Sequence, residues 1–109
     1  MKILFVCSRN KRRSRTAEKI FKNHNLFYVK SAGFSEKSPV RISEQLILWA
    51  DLIFLMEYEH SKRLRQLFDK IDLPKTEVLN IKDNYEFMDQ KLVSFLNEKV
   101  NNYLEKISI

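Results

Sequence analysis

The sequence predicts an α/β fold, a three-layer sandwich in which helices cover both faces of a four-stranded parallel sheet. Segments with the apolar patterns of strands and helices alternate strictly along the 109 residues. The connections between them are short, and strict alternation with short connections is typical of a parallel sheet covered on both faces. The length suits a single domain over residues 1–109.

The first strand, helix and strand are predicted over the first third of the chain. Lys2–Val6 is an apolar run that fits a buried strand, and Phe27–Ala32 fits a weaker strand that stops at Gly33. Between them, a helix is predicted over 14–24, and its apolar face comprises Ala17, Ile20 and Phe21. Together these segments predict one strand–helix–strand unit of a parallel sheet.

A second helix and the third strand are predicted next. Ser38 followed by Pro39 is typical of an N-cap followed by proline at the first helical position. The apolar stripe of this helix comprises Ile42, Leu46 and Trp49. Leu52–Met56 is a continuous apolar run bounded by charge, which predicts an interior parallel strand.

The last predicted elements are a helix, a strand and a C-terminal helix. The third helix ends before Pro74, and its apolar positions are Leu64, Leu67, Phe68 and Ile71. Thr76–Ile81 is predicted as the fourth strand. Asp89 is a suitable N-cap for the last helix, whose apolar positions are Leu92, Leu96, Val100, Tyr103 and Ile107.

The composition predicts a globular protein of the cytoplasm. Hydrophobic residues make up 44% and charged residues 31%, as in ordinary globular proteins. No apolar run approaches the ~20 residues of a membrane span, and the N-terminal run is too short for a signal-peptide core. Cys7 is the only cysteine, which excludes a disulfide framework and zinc sites of the CxxC type.

The net charge of +6 is concentrated in the N-terminal third of the chain. Residues 1–41 carry eleven Lys and Arg against two acidic residues, whereas residues 42–109 carry nine against twelve. Most of the excess comes from Arg9, Lys11, Arg12, Arg13 and Arg15. This focus predicts an anionic ligand near the N-terminus.

The segment after the first strand has the residue types that bind and attack a phosphoryl group. It reads Cys7-Ser8-Arg9-Asn10-Lys11-Arg12-Arg13-Ser14. A loop that leaves a strand and enters a helix can wrap its N–H groups around a tetrahedral oxyanion, and the helix N-terminus adds partial positive charge. Amides, the helix dipole and arginine all favour the nucleophilic thiolate over the thiol. Cys7 is therefore the candidate nucleophile.

Two further parts of the sequence complete this candidate site. An arginine six positions after the cysteine can bind two oxygens of a phosphoryl group, and Ser14 can donate to the thiolate. The other predicted phosphate-binding residues of the loop are Ser8, Arg9, Asn10, Lys11 and Arg12. Asp83-Asn84-Tyr85 follows the fourth strand, and ligands of such sheets bind beyond the carboxyl ends of the strands. We therefore expect both segments to face one site.

The spacing Cys-x5-Arg-Ser is that of the cysteine phosphatases, and its place after the first strand resembles the low-molecular-weight protein tyrosine phosphatases. The similarity covers nearly the whole chain. It includes Ala17-Glu18 and Ile20-Phe21 in the first helix, Ser31-Ala32-Gly33 at the second strand, Asp51–Glu57 at the third and Ile81–Tyr85 in the acid loop. The resemblance implies a phosphomonoester hydrolase that acts on a phosphoprotein, with no metal or other cofactor.

The resemblance also implies a role for individual residues. Cys7 would form a phosphocysteine intermediate, and Arg13 would bind the phosphoryl oxygens. Asp83 would protonate the leaving oxygen and then act as the base for water. Asn10 fits the family's loop asparagine, which holds a left-handed backbone conformation. Tyr85 would line the wall beside the leaving group.

The sequence departs from the family pattern at three places. Arg9 stands where the family usually has glycine, so either the loop is strained there or Arg9 adds charge at the rim. Asn84 replaces the usual proline after the acid, which leaves the acid less rigidly held. The chain is also shorter than typical members between Gly33 and Ile42, a region that normally helps to wall the substrate cleft.

The sequence is also compatible with other functions. The further cations Arg9, Lys11, Arg12 and Arg15 suit an acidic phosphopeptide, but they also suit a nucleotide or an RNA end. The protein could instead bind phosphate without hydrolysing a substrate. Arsenate reduction ranks last, because the thioredoxin-coupled reductases use further cysteines. His24 and His60 are predicted to be surface or helix-end residues, and two separated histidines with one cysteine make a poor metal site.

Overall fold

The computed structural model describes residues 1–107 and contains strands and helices in strict alternation. In chain order these are β1 (Lys2–Cys7), α1 (Arg13–Phe21), β2 (Tyr28–Gly33), α2 (Glu44–Trp49), β3 (Leu52–Leu55), α3 (Tyr58–Leu67), β4 (Lys75–Val78) and α4 (Gln90–Ile107). The strands pair in parallel in the order β2-β1-β3-β4. The predicted four-stranded parallel sheet is confirmed.

Each face of the sheet is covered by two helices, because successive residues of a strand point to opposite faces. Ile3 and Phe5 of β1 pack in one core with α1 and with the apolar side of α4. Leu4 and Val6 of the same strand pack in a second core with α2 and α3. The predicted three-layer arrangement is therefore confirmed as well.

The strand order brings three connections to one edge of the sheet. Cys7, the last residue of β1, pairs with Gly33 of β2 on one side, and Val6 pairs with Leu55 of β3 on the other. The backbone N–H of Met56 donates to Val6 (3.2 Å), and that of Ile81 donates to the Met56 carbonyl (2.8 Å). The segments that follow β1, β3 and β4 therefore begin side by side.

The helix predicted from Ser38 and Pro39 begins later than expected. The N-cap of α2 is Ser43, whose hydroxyl accepts from the Leu46 N–H at 3.2 Å. The segment before it is held against the end of β2 instead: the Gly33 N–H donates to Val40, and the Ile42 N–H donates to Gly33. These bonds, which join residues seven and nine positions apart, keep Ser38 and Pro39 out of the helix.

Three other elements end earlier than predicted. α1 ends at Phe21, α3 ends at Leu67, and β4 ends at Val78. Leu67 was expected in the core, but its side chain is 53% exposed, whereas Leu64 is fully buried. In α2 the buried residue is Ile47, and Trp49 is only half-buried. Asp89 precedes α4 and accepts from the Lys91 N–H at 2.8 Å, as an N-cap does.

Among residues 1–107, no helix combines the length and the apolar character needed to cross a bilayer.

Candidate active site

A small cavity lies at the carboxyl edge of the sheet, where the loop between β1 and α1 turns into the helix. Its volume is about 100 Å³, roughly three times the share of liquid volume that one water molecule occupies. The lining residues are Cys7, Arg9, Lys11, Arg12, Arg13 and Asp83. The cavity has the size for one tetrahedral oxyanion, and its lining carries four cations and one carboxylate.

The sulfur of Cys7 is held by two polar groups of its own loop. The side chain is 3% exposed. The backbone N–H of Asn10 donates to Sγ at 3.2 Å, and the Ser14 hydroxyl lies 3.0 Å from Sγ. Because Ser14 Oγ already accepts from Asn10 Nδ2 at 2.8 Å, its own proton is free to point at the sulfur.

Asn10 holds the loop in shape through every polar atom of its side chain. Its backbone has φ of 54°, so the predicted left-handed conformation is confirmed. Besides Ser14, the amide nitrogen donates to Ser31 Oγ at 2.9 Å, and Ser31 in turn donates to Glu18 at 2.7 Å. The amide oxygen accepts from the Val40 N–H at 3.2 Å. This network ties the loop to α1 and to β2.

Gly33 allows the loop to lie directly against the end of β2. A Cβ atom at this position would lie 2.7 Å from the backbone nitrogen of Asn10 and 2.8 Å from the carbonyl carbon of Arg9, and it would also collide with Ser38 Oγ. A side chain here would push the loop away from the sheet. The glycine is therefore required by the close approach of two backbones.

Arg13 is a buried arginine with a defined orientation. Its side chain is 1% exposed, and Nη1 donates to Glu57 Oε2 at 2.7 Å and to the Ile81 carbonyl at 2.8 Å. The Nε atom lies 3.7 Å from Asp83 Oδ1, whose side chain is half exposed. A buried charge requires such partners. The structure therefore brings Cys7, Arg13 and Asp83 to one cavity.

His60 lies behind this site in the first turn of α3, so it is a helix-end residue, as one of the two predicted placements had it, but it is buried and not at the surface. Its Nδ1 accepts from the Glu57 N–H at 3.2 Å. The proton must therefore lie on Nε2, which donates to Ser8 Oγ at 3.0 Å. The pKa of His60 is lowered to about 4. Burial of the imidazole is the main cause, and the positive charge of Arg13 is the second. The imidazole is neutral at physiological pH and holds the loop through Ser8.

The segment that carries Asp83 is held at its far end by α1. The backbone N–H of Met88 donates to Oγ1 of Thr16 at 3.0 Å, and Thr16 is fully buried. The Phe87 ring lies under two cations of the same helix, with centroid distances of 5.9 Å to Arg15 and 5.5 Å to Lys19. These contacts restrain the segment without a proline after Asp83.

Several solved structures with the same arrangement of strands and helices are phosphatases. A low-molecular-weight protein tyrosine phosphatase from Streptococcus pyogenes superposes with a TM-score of 0.80 over 97% of this chain and 92% of its own, at 17% sequence identity. This chain has the low-molecular-weight tyrosine phosphatase fold. The fold implied by the sequence resemblance is thereby confirmed.

Two further structures show the range of activities that this phosphatase fold supports. The YwlE arginine phosphatase from Geobacillus stearothermophilus has a TM-score of 0.68 at 21% identity, over 96% of this chain and 93% of its own. The tyrosine phosphatase Wzb from Escherichia coli K30, in complex with phosphate, has a TM-score of 0.71 at 19% identity, over 97% of each chain. No family model and no curated protein matches the sequence.

Not every predicted residue of the candidate site lines the cavity. Ser8 contacts His60, and Asn10 and Ser14 are buried on the sulfur side of the loop, so none of these three side chains lines the cavity wall. Tyr85 was expected beside the leaving group, but its ring packs against Phe95 of α4, with a centroid distance of 6.0 Å. Tyr85 therefore does not line the cavity in this structure, and its place beside the leaving group stays a prediction.

The question raised by Arg9 is also answered. The non-glycine residues with positive φ in the described part of the chain are Asn10, Asn80 and Met88. Arg9 therefore takes an ordinary backbone conformation and adds its charge to the rim of the cavity. Among residues 1–107, no group of three or more His, Cys, Asp or Glu side chains is arranged to hold a metal ion.

The sequence analysis did not identify three residues that support the candidate site, namely Glu57, His60 and Thr16. Glu57 lies two residues after the end of β3 and therefore at the same edge of the sheet as Cys7. The predicted strands could have indicated this placement. His60 lies one helical turn further on, where it completes a capping box with Glu57. Its contact with Ser8 spans 52 positions and has no local signal.

Proposed function

We propose that this protein is a cysteine-dependent phosphomonoester hydrolase of the cytoplasm that dephosphorylates phosphoproteins through a phosphocysteine intermediate. Cys7 is the nucleophile, Arg13 binds the phosphoryl oxygens, and Asp83 is the general acid and base. The observation that carries the proposal is the shared cavity, which places one thiol, one oriented guanidinium and one carboxylate around a space the size of a phosphoryl group. The fold it shares with known phosphatases supports the same chemistry.

In the first step, the Cys7 thiolate attacks phosphorus and forms a sulfur–phosphorus bond while the bond to the leaving oxygen breaks. Asp83 gives its proton to that oxygen, so that the product leaves as an alcohol or phenol. Arg13 follows the equatorial oxygens through the transition state, and its bond to Glu57 keeps the guanidinium aimed into the cavity.

In the second step, water attacks the phosphorus of the phosphocysteine. The Asp83 carboxylate takes one proton from that water, and the sulfur–phosphorus bond breaks to release inorganic phosphate and the thiolate. The hydrogen bonds from Asn10 and Ser14 to the sulfur stabilise the thiolate as it departs. At the end of the cycle Asp83 is protonated again and Cys7 is free.

The test is hydrolysis of para-nitrophenyl phosphate by the purified protein, with EDTA present, from mildly acidic to neutral pH. We expect turnover in the wild type and none in Cys7→Ser. Because one similar structure is an arginine phosphatase, the substrate panel also contains a phosphoarginine peptide next to a phosphotyrosine peptide.

The matched control is Ser61→Ala, which removes a hydroxyl from α3 outside the cavity lining and should keep wild-type activity. Turnover that survives in Cys7→Ser would refute the phosphocysteine. A folded wild-type protein that hydrolyses none of these substrates, and is nevertheless stabilised by phosphate or vanadate, would instead be a phosphate-binding module.

A further inference from the structure

The cations around the cavity differ in what they contact, and most of them have partners within the protein. Arg13 is paired with Glu57 and Asp83. Arg12 Nε lies 3.8 Å from Glu86 Oε2, and Arg15 lies over the Phe87 ring. Arg12 and Arg15 therefore both contact the segment that carries Asp83. Each of these three cations therefore has a partner within the protein.

Arg9 and Lys11 are the exceptions. Both side chains are exposed, both line the cavity, and neither makes an ion pair with any other residue of the part of the chain that the structure describes. They lie on either side of Asn10, whose buried amide fixes the backbone between them. Two unpaired cations are thus held at the rim of a cavity that needs only Arg13 to bind one phosphoryl group.

We propose that Arg9 and Lys11 recognise a second anionic group of the substrate, namely carboxylate side chains that flank the phosphorylated residue of an acidic peptide segment. This rests on the proposed hydrolase function and adds a substrate class to it. An extended peptide advances about 3.5 Å per residue, so carboxylates one to three positions from the phosphorylated residue come within reach of these long side chains. The preferred substrate is a phosphoprotein with an acidic site.

An RNA end fits the same surface less well, because proteins that bind single-stranded RNA stack its bases on exposed aromatic rings. The rings nearest the site contact other side chains of the protein. Phe34 is 2% exposed and packs against His60, with Arg63 over the ring. Tyr85 packs against Phe95, and Phe87, although 43% exposed, has Arg15 and Lys19 over its ring. The residues that line the cavity include four cations and no aromatic side chain.

The experiment compares two phosphotyrosine peptides that differ only in having Glu or Gln at the flanking positions. Exposed charge pairs are worth about 0.5 kcal/mol each, so two of them predict roughly a fivefold higher kcat/KM for the acidic peptide at low salt. The preference should fall towards one in 0.5 M NaCl, because screening there shortens the Debye length to a few ångströms. The ratio of the two peptides cancels any effect on the phosphoryl site itself.

The variant is Arg9→Gln/Lys11→Gln, and we expect it to lose the preference for the acidic peptide. The matched control, Lys22→Gln/Lys70→Gln, removes the same charge beyond the far ends of α1 and α3 and should keep the preference. Equal kcat/KM for the two peptides in the wild type, or a preference that persists in the rim variant, would overturn the proposal. Faster turnover of a 5′-phosphorylated RNA oligonucleotide than of the acidic peptide would also overturn it.

Failure of the hydrolase function would have a different signature. If the wild type hydrolyses neither peptide nor para-nitrophenyl phosphate, the affinities of the two peptides can still be measured by fluorescence anisotropy. Tighter binding of the acidic peptide, lost in Arg9→Gln/Lys11→Gln, would support the assignment of the rim to an acidic phosphopeptide. Equal binding of both peptides would refute it.

Discussion

The neutral, buried His60 predicts that the protein becomes less stable as the pH falls below neutrality. In the folded protein the pKa of His60 is lowered to about 4, whereas an unfolded chain has a histidine pKa of about 6.5. The unfolded state therefore binds a proton that the folded state does not bind between these two values. Stability contributed by the neutral ring is present above about pH 6.5 and is lost as the pH falls towards 4.

The size of this loss follows from the two pKa values. Proton linkage gives a decrease in the free energy of unfolding of about 2 kcal/mol between about pH 7.5 and pH 5, and of about 3 kcal/mol by pH 4. The groups that act on the ring include Arg13 and Arg63, which oppose its protonation, and Glu57 and Asp83, which favour it. Burial is the largest influence, as expected for a side chain that is 4% exposed.

The assay is urea denaturation of the wild type, His60→Gln and His24→Gln at several pH values between 7.5 and 5. Carboxylates titrate in all three proteins, so only the difference between proteins reports on one histidine. We expect the slope of stability against pH to be shallower in His60→Gln by about 2 kcal/mol over this range. His24, the other histidine, is exposed, and its variant should follow the wild type. Parallel curves for the wild type and His60→Gln would refute the neutral buried imidazole.

Three further predictions concern the segment around Asp83 and the loop. Asp83→Asn should lower kcat/KM, which reports the step that releases the leaving group, by ~10²–10⁴ for phenyl phosphate, whose leaving group is poor, and much less for para-nitrophenyl phosphate. Equal losses of kcat/KM would mean that Asp83 is not the acid. Thr16→Val removes the acceptor of the Met88 N–H. This change should lower kcat/KM for phenyl phosphate several-fold, in line with about 1 kcal/mol for one hydrogen bond. Thr16→Ser should restore the rate, and Thr16→Val should add no loss to Asp83→Asn; a further loss there would show that Thr16 does not act through Asp83. Gly33→Ala forces a Cβ against the Asn10 backbone and should lower the free energy of unfolding by about 1–3 kcal/mol, measured by urea denaturation; a change below about 0.5 kcal/mol would contradict the close approach.

The sheet could be predicted because its two central strands, β1 and β3, have a recognisable local sequence pattern. Lys2–Val6 and Leu52–Met56 are continuous apolar runs, and such runs fit strands that are buried on both faces. The start of α2 could not be predicted in this way. Both Ser38 and Ser43 are acceptable N-caps. The choice between them is made by backbone bonds from Gly33 to Val40 and from Ile42 to Gly33, which pair this segment with the end of β2. Local propensity has no access to such pairing.

Part of the candidate site could likewise be predicted from the sequence and part of it could not. The loop from Cys7 to Ser14 is one continuous segment, so the spacing of its residues could be recognised in the sequence. The burial of His60 was not predicted because it depends on the loop that this side chain supports, which lies 52 positions away in the sequence. The packing of Tyr85 was not predicted because the ring of Phe95 belongs to a separate element, α4. Each of these positions is decided by packing between different elements of the fold.

The solitary thiol also determines how the protein would respond to oxidants. Peroxide converts a reactive thiolate to a sulfenic acid, and a second cysteine nearby can rescue it as a disulfide before it oxidises further to the sulfinic form. Cys7 is the only cysteine of the 109 residues, so no such partner exists within this chain. Recovery must come from an external thiol, which has to reach a residue that is only 3% exposed and lines a cavity of about 100 Å³. We expect a small thiol to reduce the oxidised protein faster than a bulky one, so the size of the reductant would govern its recovery.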